Sequence, residues 1–289
     1  MKIKLKYLLV LLTITFLLTG CFKLDKMENI DIITTIYPVE YIANRLYGDN
    51  SKVQSIFPKT IDVNTYKLTE KQLRDFSKKD LFIYNGTSQE REYATKLLSY
   101  NRDLKIIDAS YGVDTTYSSY EVWLNPSNML MMAQNVRNAL EQYISSKYII
   151  DEVKNQYELF KVDISELETE LKKTADNSLN KTIICYDETL NFLQKYGFEV
   201  INLTEKGKNK DINIAQAKTL LKSGKVEYLF IAERQKDNDL IKTFVNSHKA
   251  KKLSFRLLET ITEKDIKAGD DYLSLMYDNI ETIKKETYK

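Results

Sequence analysis

Histidine is almost missing from this sequence: 289 residues contain one, His248. That removes histidine-rich zinc sites and leaves little basis for a His-centred catalytic triad. The residue sits in Asn246-Ser247-His248-Lys249, which reads as an exposed helix end. Two cysteines, Cys21 and Cys185, offer at most one disulfide. With 8 glycines and 3 prolines, collagen-like and linker-rich architectures are out, and long regular elements are favoured. Charge of one sign is lacking too. The 43 Lys and Arg stand against 41 Asp and Glu, so no basic field exists to draw in nucleic acid. The chain has no glycine-rich phosphate loop, no G-x-S-x-G, no H-E-x-x-H and no paired C-x-x-C. With no nucleophile–base pair visible either, an enzyme is the remotest class. The 20 tyrosines are scattered and define no stacking platform. What remains is ordinary globular composition, 43% hydrophobic and 29% charged, in a chain long enough for about two domains.

The N-terminus differs from the rest. Lys2, Lys4 and Lys6 precede an almost wholly apolar stretch at 7–18. A bilayer-spanning helix needs roughly 20 such residues, so this stretch reads as an export signal. It ends in Leu18-Thr19-Gly20-Cys21, which resembles a bacterial lipobox. Cleavage at 1–20 would make Cys21 the lipidated first residue, followed by a polar tether through 29. A plain signal peptide with a chance cysteine is the alternative. Cleavage also removes three positive charges, leaving a mature net charge of −1. With Cys21 carrying lipid, Cys185 is alone in an apolar run at 182–186 and reads as a buried, inert thiol.

Beyond the tether, strand-like and helix-like segments alternate. Apolar, β-branched runs of strand length fall at 31–37, 52–57, 80–84 and 104–107. Helical spacing separates them at 39–47, 69–77 and 89–98, and Thr69 with Gln72 forms a capping-box pattern. The pattern returns with strand-like runs at 181–186, 198–203, 227–232 and 252–257. Between the two sets, 128–175 is nearly free of breakers. There Val153, Tyr157, Phe160, Ile164, Leu167 and Leu171 repeat every three to four residues, the seam of a long helix. The expectation is an α/β protein of two lobes, each a mainly parallel four-stranded sheet with covering helices. The lobes span 30–127 and 179–289, joined by one rigid helical segment at 128–178. Ligands of such sheets bind at the carboxyl ends of the strands, here the cleft between lobes.

Several pieces, taken in order, carry a family resemblance. They are Thr34-Thr35-Ile36-Tyr37-Pro38, Leu46-Tyr47-Gly48-Asp49, Asp80-Leu81-Phe82-Ile83-Tyr84-Asn85-Gly86 and Val122-Trp123-Leu124-Asn125-Pro126. Later come Tyr196-Gly197, Phe230-Ile231-Ala232-Glu233 and Asp271-Tyr272-Leu273-Ser274-Leu275-Met276-Tyr277-Asp278-Asn279. From about 32 to 283 the chain resembles the zinc and manganese solute-binding lipoproteins of bacterial ABC importers, a family that includes the adhesion lipoproteins. The resemblance implies two α/β lobes on one long helix and no enzymatic activity. It also implies a lipid-anchored monomer on the outer face of the cytoplasmic membrane, delivering a divalent metal ion to an ABC permease and its ATPase subunit.

The ligand positions depart from the family pattern. Carried over residue by residue, they fall on Asn64, Glu121, Tyr186 and Glu259, with Glu233 in reserve and Trp123 as a cleft wall. Relatives have His, His, His or Glu, and an acid at these places; here no imidazole is kept. Zinc favours nitrogen and sulfur donors, so the ligand chemistry favours a harder cation such as Mn²⁺, while the resemblance favours zinc. Asn64 and Glu121 read equally as groups closing the cleft by hydrogen bonds, and Tyr186 as a space-filling replacement. A small non-metal ligand, or a metal-free adhesin or accessory interaction lipoprotein, is the alternative function.

Overall fold

The computed structural model of the chain describes residues 26–289 except Thr60, Asp62, Asn64, Ser88, Ser119 and Arg234. Cys21 and the export signal lie outside the described residues. No helix among those described is long and apolar enough to cross a membrane.

All eight expected strand runs form strands. In the first lobe these are β1 (Ile30–Thr34), β2 (Ser51–Ser55), β3 (Leu81–Tyr84) and β4 (Lys105–Asp108), every pair parallel, in the order β2-β1-β3-β4. The second lobe repeats this plan with β5 (Thr182–Cys185), β6 (Glu199–Asn202), β7 (Tyr228–Ala232) and β8 (Lys251–Phe255), in the order β6-β5-β7-β8. Helices cover these sheets, so inner strands are buried along most of their length. All four residues of β3 are buried, which is why that strand reads as a continuous apolar run.

The helices of the first lobe are α1 (Tyr37–Tyr47), α2 (Glu70–Phe76) and α3 (Glu90–Tyr100). Pro38 sits in the first turn of α1, where its missing N–H costs nothing. The Thr69–Gln72 capping box forms at α2. Gly86 follows β3 because a Cβ there would lie 2.0 Å from an Asp108 carboxylate oxygen. Its N–H donates to Asp108 Oδ1 (3.1 Å) and Ser110 Oγ (2.7 Å).

The linking segment corrects the expectation of a single strut. It is two helices, α4 (Pro126–Tyr143) and α5 (Lys147–Asn177). Ile144 is extended and buried, and Ser146 caps α5 by accepting from the Ile149 N–H at 3.5 Å. The chain therefore reverses, and α4 packs beside α5. No glycine or proline marks that reversal; a serine cap does it. The strut is α5 alone, 31 residues and about 46 Å long. All six seam residues from Val153 to Leu171 are buried on it.

The second lobe adds a 3-10 helix (Glu188–Tyr196), α6 (Asn209–Ser223), α7 (Asp239–His248), α8 (Glu263–Ala268) and α9 (Tyr272–Thr287). His248 ends α7, as the sequence suggested. One continuous apolar core joins the lobes through Trp123, Leu258 and Tyr272. A second cluster lies under α6 and α7. Tyr41 crosses the junction, its ring 5.5 Å from that of Tyr272 and its hydroxyl donating to Asp271 at 3.1 Å. Arg45 of α1 is clamped to Asp163 of α5 at 2.5 Å.

Candidate functional site

Both sheets point their carboxyl ends at the junction between lobes. Five segments meet there: the loop 118–121 before Trp123, the β5 exit at 185–187, the loop 257–261 after β8, the start of α1, and the turn after β3. Each brings polar side chains into a region closed by aromatic packing.

Glu121 precedes a short 3-10 turn, Val122–Leu124, and accepts from the Ser118 hydroxyl at 3.3 Å. Its carboxyl is pushed up from 4.5 to about 7, mostly by burial, with the negative charges of Asp187 and Glu259 adding to the shift. Glu259 is 5% exposed, and its backbone carbonyl accepts from the Tyr37 N–H at 2.8 Å. The preceding residue, Leu258, holds a left-handed backbone (φ 62°) while fully buried. That conformation costs a non-glycine residue about 1–2 kcal/mol, and burial of the leucine holds it there, fixing how the Glu259 loop turns. The charge of Glu259 is one of the two that add to the rise at Glu121.

Tyr120 joins them. Its hydroxyl donates to the Glu259 carboxylate, and its ring stands edge-on to Trp123 with centroids 5.6 Å apart. Burial pushes its phenol far above the ordinary value, followed by the charges of Glu259, Glu90 and Glu121. Glu90 is 3% exposed at the start of α3 and accepts from the Asn85 N–H at 3.2 Å. The region thus has three carboxylates around one phenol. Beside Glu259 the open space is slight: a cavity of about 10 Å³ between Tyr37, Glu40, Phe57, Lys59 and Ile261, room for one water. Among the described residues, no group of three or more His, Cys, Asp or Glu is arranged to hold a metal ion.

The fold treats the sequence-derived candidates unequally. Asn64 lies outside the described residues. Tyr186 is engaged within the second lobe. Its backbone N–H donates to the Phe230 carbonyl (2.9 Å), its hydroxyl accepts from Asn238 Nδ2 (2.6 Å), and its ring packs with the cluster under α6 and α7. Side chains alternate along a strand, so Cys185 and Tyr186 take opposite faces. Asp187, one residue on, is the group whose charge reaches Glu121. It caps the 3-10 helix, accepting from the Thr189 N–H (3.1 Å) and hydroxyl (2.5 Å). Asp187-Glu188-Thr189 is itself a helix-start signature, the signal that could have found it. Cys185 is buried as expected, and burial raises its thiol well above the ordinary range.

Glu233 pairs with Arg256 at 3.6 Å, and Arg256 also makes a two-pronged contact with Asp265 at 3.0 and 2.7 Å. Trp123 requires correction as a cleft wall. It is 0% exposed, its indole N–H donates to the Leu257 carbonyl (2.7 Å), and its own carbonyl accepts from the Tyr272 hydroxyl (2.6 Å). A large apolar side chain next to a polar crevice gains most by leaving water entirely, so it pins the lobes together.

Two similarly built α/β lobes on one long helix, with acids gathered where the strands of both lobes end, define the class of bacterial metal solute-binding proteins. The chain belongs to the family described as zinc-uptake complex component A, periplasmic, which it matches over residues 32–286. That is a family of metal-binding, substrate-binding components of ABC importers and not of enzymes. The chain is similar to the zinc-binding lipoprotein AdcA of Streptococcus pneumoniae, with 21% identity over 98% of this chain and 61% of that protein. It thus spans about three fifths of that relative's length. It is also 21% identical to the high-affinity zinc uptake system protein ZnuA of Bacillus subtilis, covering 90% of this chain and 88% of that one. Among solved structures, the metal-dependent lipoprotein YcdH of Bacillus subtilis superposes with a TM-score of 0.76 at 18% identity, over 90% of this chain and 100% of that one. The laminin-binding protein Lbp of Streptococcus pyogenes gives 0.72 at 15%, over 90% and 100%. These likenesses establish the fold.

Proposed function

We propose that this protein is a lipid-anchored, extracytoplasmic solute-binding component that holds a divalent cation through oxygen donors between its lobes and hands it to an ABC permease. The observation that carries this reading is Glu121, a buried carboxyl raised mainly by burial and further by the charges of Asp187 and Glu259. A buried carboxyl whose proton affinity is raised by burial and neighbouring negative charge is one that a divalent cation relieves, by displacing the proton and supplying positive charge. Without imidazole the donor set is hard, which suits Mn²⁺ better than Zn²⁺. Binding then requires Tyr120 to leave Glu259, and Asp187, whose charge reaches Glu121, is a further acid at the site. Lipidation at Cys21 and delivery to a permease belong to the same proposal. Elemental analysis of the mature protein purified without added metal tests it: a stoichiometric divalent metal supports the reading, and metal-free protein in metal-replete growth counts against it.

A second reading has its own support. The Tyr120–Glu259 hydrogen bond satisfies the site from within, and no three-ligand group is present among the described residues. A member of this family whose site has closed on itself would act as an adhesive or accessory lipoprotein on the same anchor.

A further inference from the structure

The second lobe carries an unbalanced basic face. Residues 205–225 hold six lysines, Lys206, Lys208, Lys210, Lys218, Lys222 and Lys225, against two acids, Glu205 and Asp211. The chain without its first 20 residues has acids in excess by one, so this excess of four positive charges is strongly segregated. Five of the six lysines are exposed, and Lys218 is partly so. None of them makes an ion pair among the described residues, although lysines elsewhere in the fold pair repeatedly. The nearest acid on the sheet edge, Glu199, is engaged by Gln216 (2.7 Å) and Thr182 (3.0 Å).

Helix α6 organises these charges. Ala217 and Leu221 face the core, while the capping residue Lys208, Asp211, Ile212 and Lys222 are exposed and Lys218 is half-exposed. Ile212 is 61% exposed, one helical turn on from Lys208. The helix is about 22 Å long. Its approach starts at the cleft: Asn202, the last residue of β6, pairs with Cys185, two residues before Asp187. The loop that leads into the basic face therefore leaves the same carboxyl edge of the sheet as the β5 exit.

We infer that the outer face of α6 with its preceding loop docks on an anionic phospholipid surface. The charge complementarity is plain, and the residue choice decides between partners. The face has lysine and no arginine. Lysine is a hydrated point charge on a flexible stem, suited to a diffuse plane of phosphates, and it is depleted in protein interfaces where arginine is enriched. An exposed isoleucine between lysines matches how interfacial helices enter a headgroup layer. This inference is independent of the metal reading, since it uses no residue of the cleft.

Vesicle sedimentation tests it, using protein that starts at Phe22 so that no lipid anchor contributes. Every described strand and helix lies within 30–287, so the shortened protein keeps the whole fold. The expected result is binding to vesicles of phosphatidylcholine with phosphatidylglycerol but not to phosphatidylcholine alone. Binding should weaken by about tenfold or more as salt rises to roughly 0.5 M, because surface charges are screened. A Lys208→Glu/Lys210→Glu/Lys218→Glu/Lys222→Glu variant should lose binding while melting like the parent, and the corresponding Gln variant should lose most of it. Ile212→Ser should weaken binding without changing its salt dependence. Absent binding, equal binding to neutral vesicles, or unchanged binding by the charge variants overturns the inference. Cross-linking of this face to an acidic protein without vesicle binding also overturns it, assigning the face to a protein partner.

Discussion

Replacing Glu121 by Gln should stabilise the metal-stripped protein at alkaline pH and leave it unchanged in acid. The folded protein raises this carboxyl from 4.5 to about 7 through burial and the neighbouring charges of Asp187 and Glu259. A raised carboxyl means that the folded state holds its proton more tightly than the unfolded chain. Below pH 4.5 both states are protonated and there is no penalty. Between pH 4.5 and 7 the unfolded chain releases its proton first, so stability falls as pH rises. Above pH 7 the full penalty applies, at most about 3 kcal/mol for a shift of that size. Gln removes the charge and keeps the shape, so this loss disappears. Urea unfolding with chelator at pH 4, 6 and 8 reads it directly. In a protein this size each kcal/mol moves Tm by about 2–4 °C, so thermal melting reads it too. The variant should equal the parent at pH 4 and exceed it at pH 8. Parallel pH profiles for the two proteins would refute the claim that the site holds a strained carboxyl.

Other predictions test the fold and the anchor. Trp123→Phe removes a buried donor to the Leu257 carbonyl and leaves unfilled volume at the lobe junction, and should cost about 2–4 kcal/mol in chemical denaturation. Tyr120→Phe removes the phenol that closes Glu259, so it should strengthen divalent-ion binding several-fold in calorimetric titration; weaker binding would make Tyr120 a ligand-side group. Because α5 and a shared core join the lobes, radius of gyration by solution scattering should stay nearly constant on adding metal, unlike in hinged binding proteins. Cys21→Ser should move the protein from membrane to soluble fractions without changing its circular dichroism; full retention on membranes would sink the lipoprotein reading.

The fold was readable because buried parallel strands are continuous apolar runs. Ile32-Ile33, Leu81-Phe82-Ile83 and Leu229-Phe230-Ile231 stand out from any polar background. The two-helix link was not, since Ser146 looks like any surface serine until the chain reverses there. The candidate site was only partly legible. Glu121 and Glu259 could be proposed from their neighbours in sequence, Trp123 and the C-terminal motif. Which of Tyr186 and Asp187 faces them could not be read, because a one-residue step flips the face of the chain. Tyr120 and Glu90 gave no local pattern at all. They converge only through the packing of two loops and a helix start, which no spacing in the sequence encodes.

Titration of metal-stripped protein with Mn²⁺, Ca²⁺ and Zn²⁺, beside Glu121→Gln, tests oxygen ligation at Glu121 and Glu259 most directly. The predicted result is one Mn²⁺ per protein, bound at least as well as Zn²⁺, with a proton released on binding and the affinity lost in Glu121→Gln. Tight stoichiometric zinc binding that survives Glu121→Gln would contradict oxygen ligation at this site. Silence toward all three ions would contradict the metal-binding function and transfer the protein to the metal-free adhesive reading.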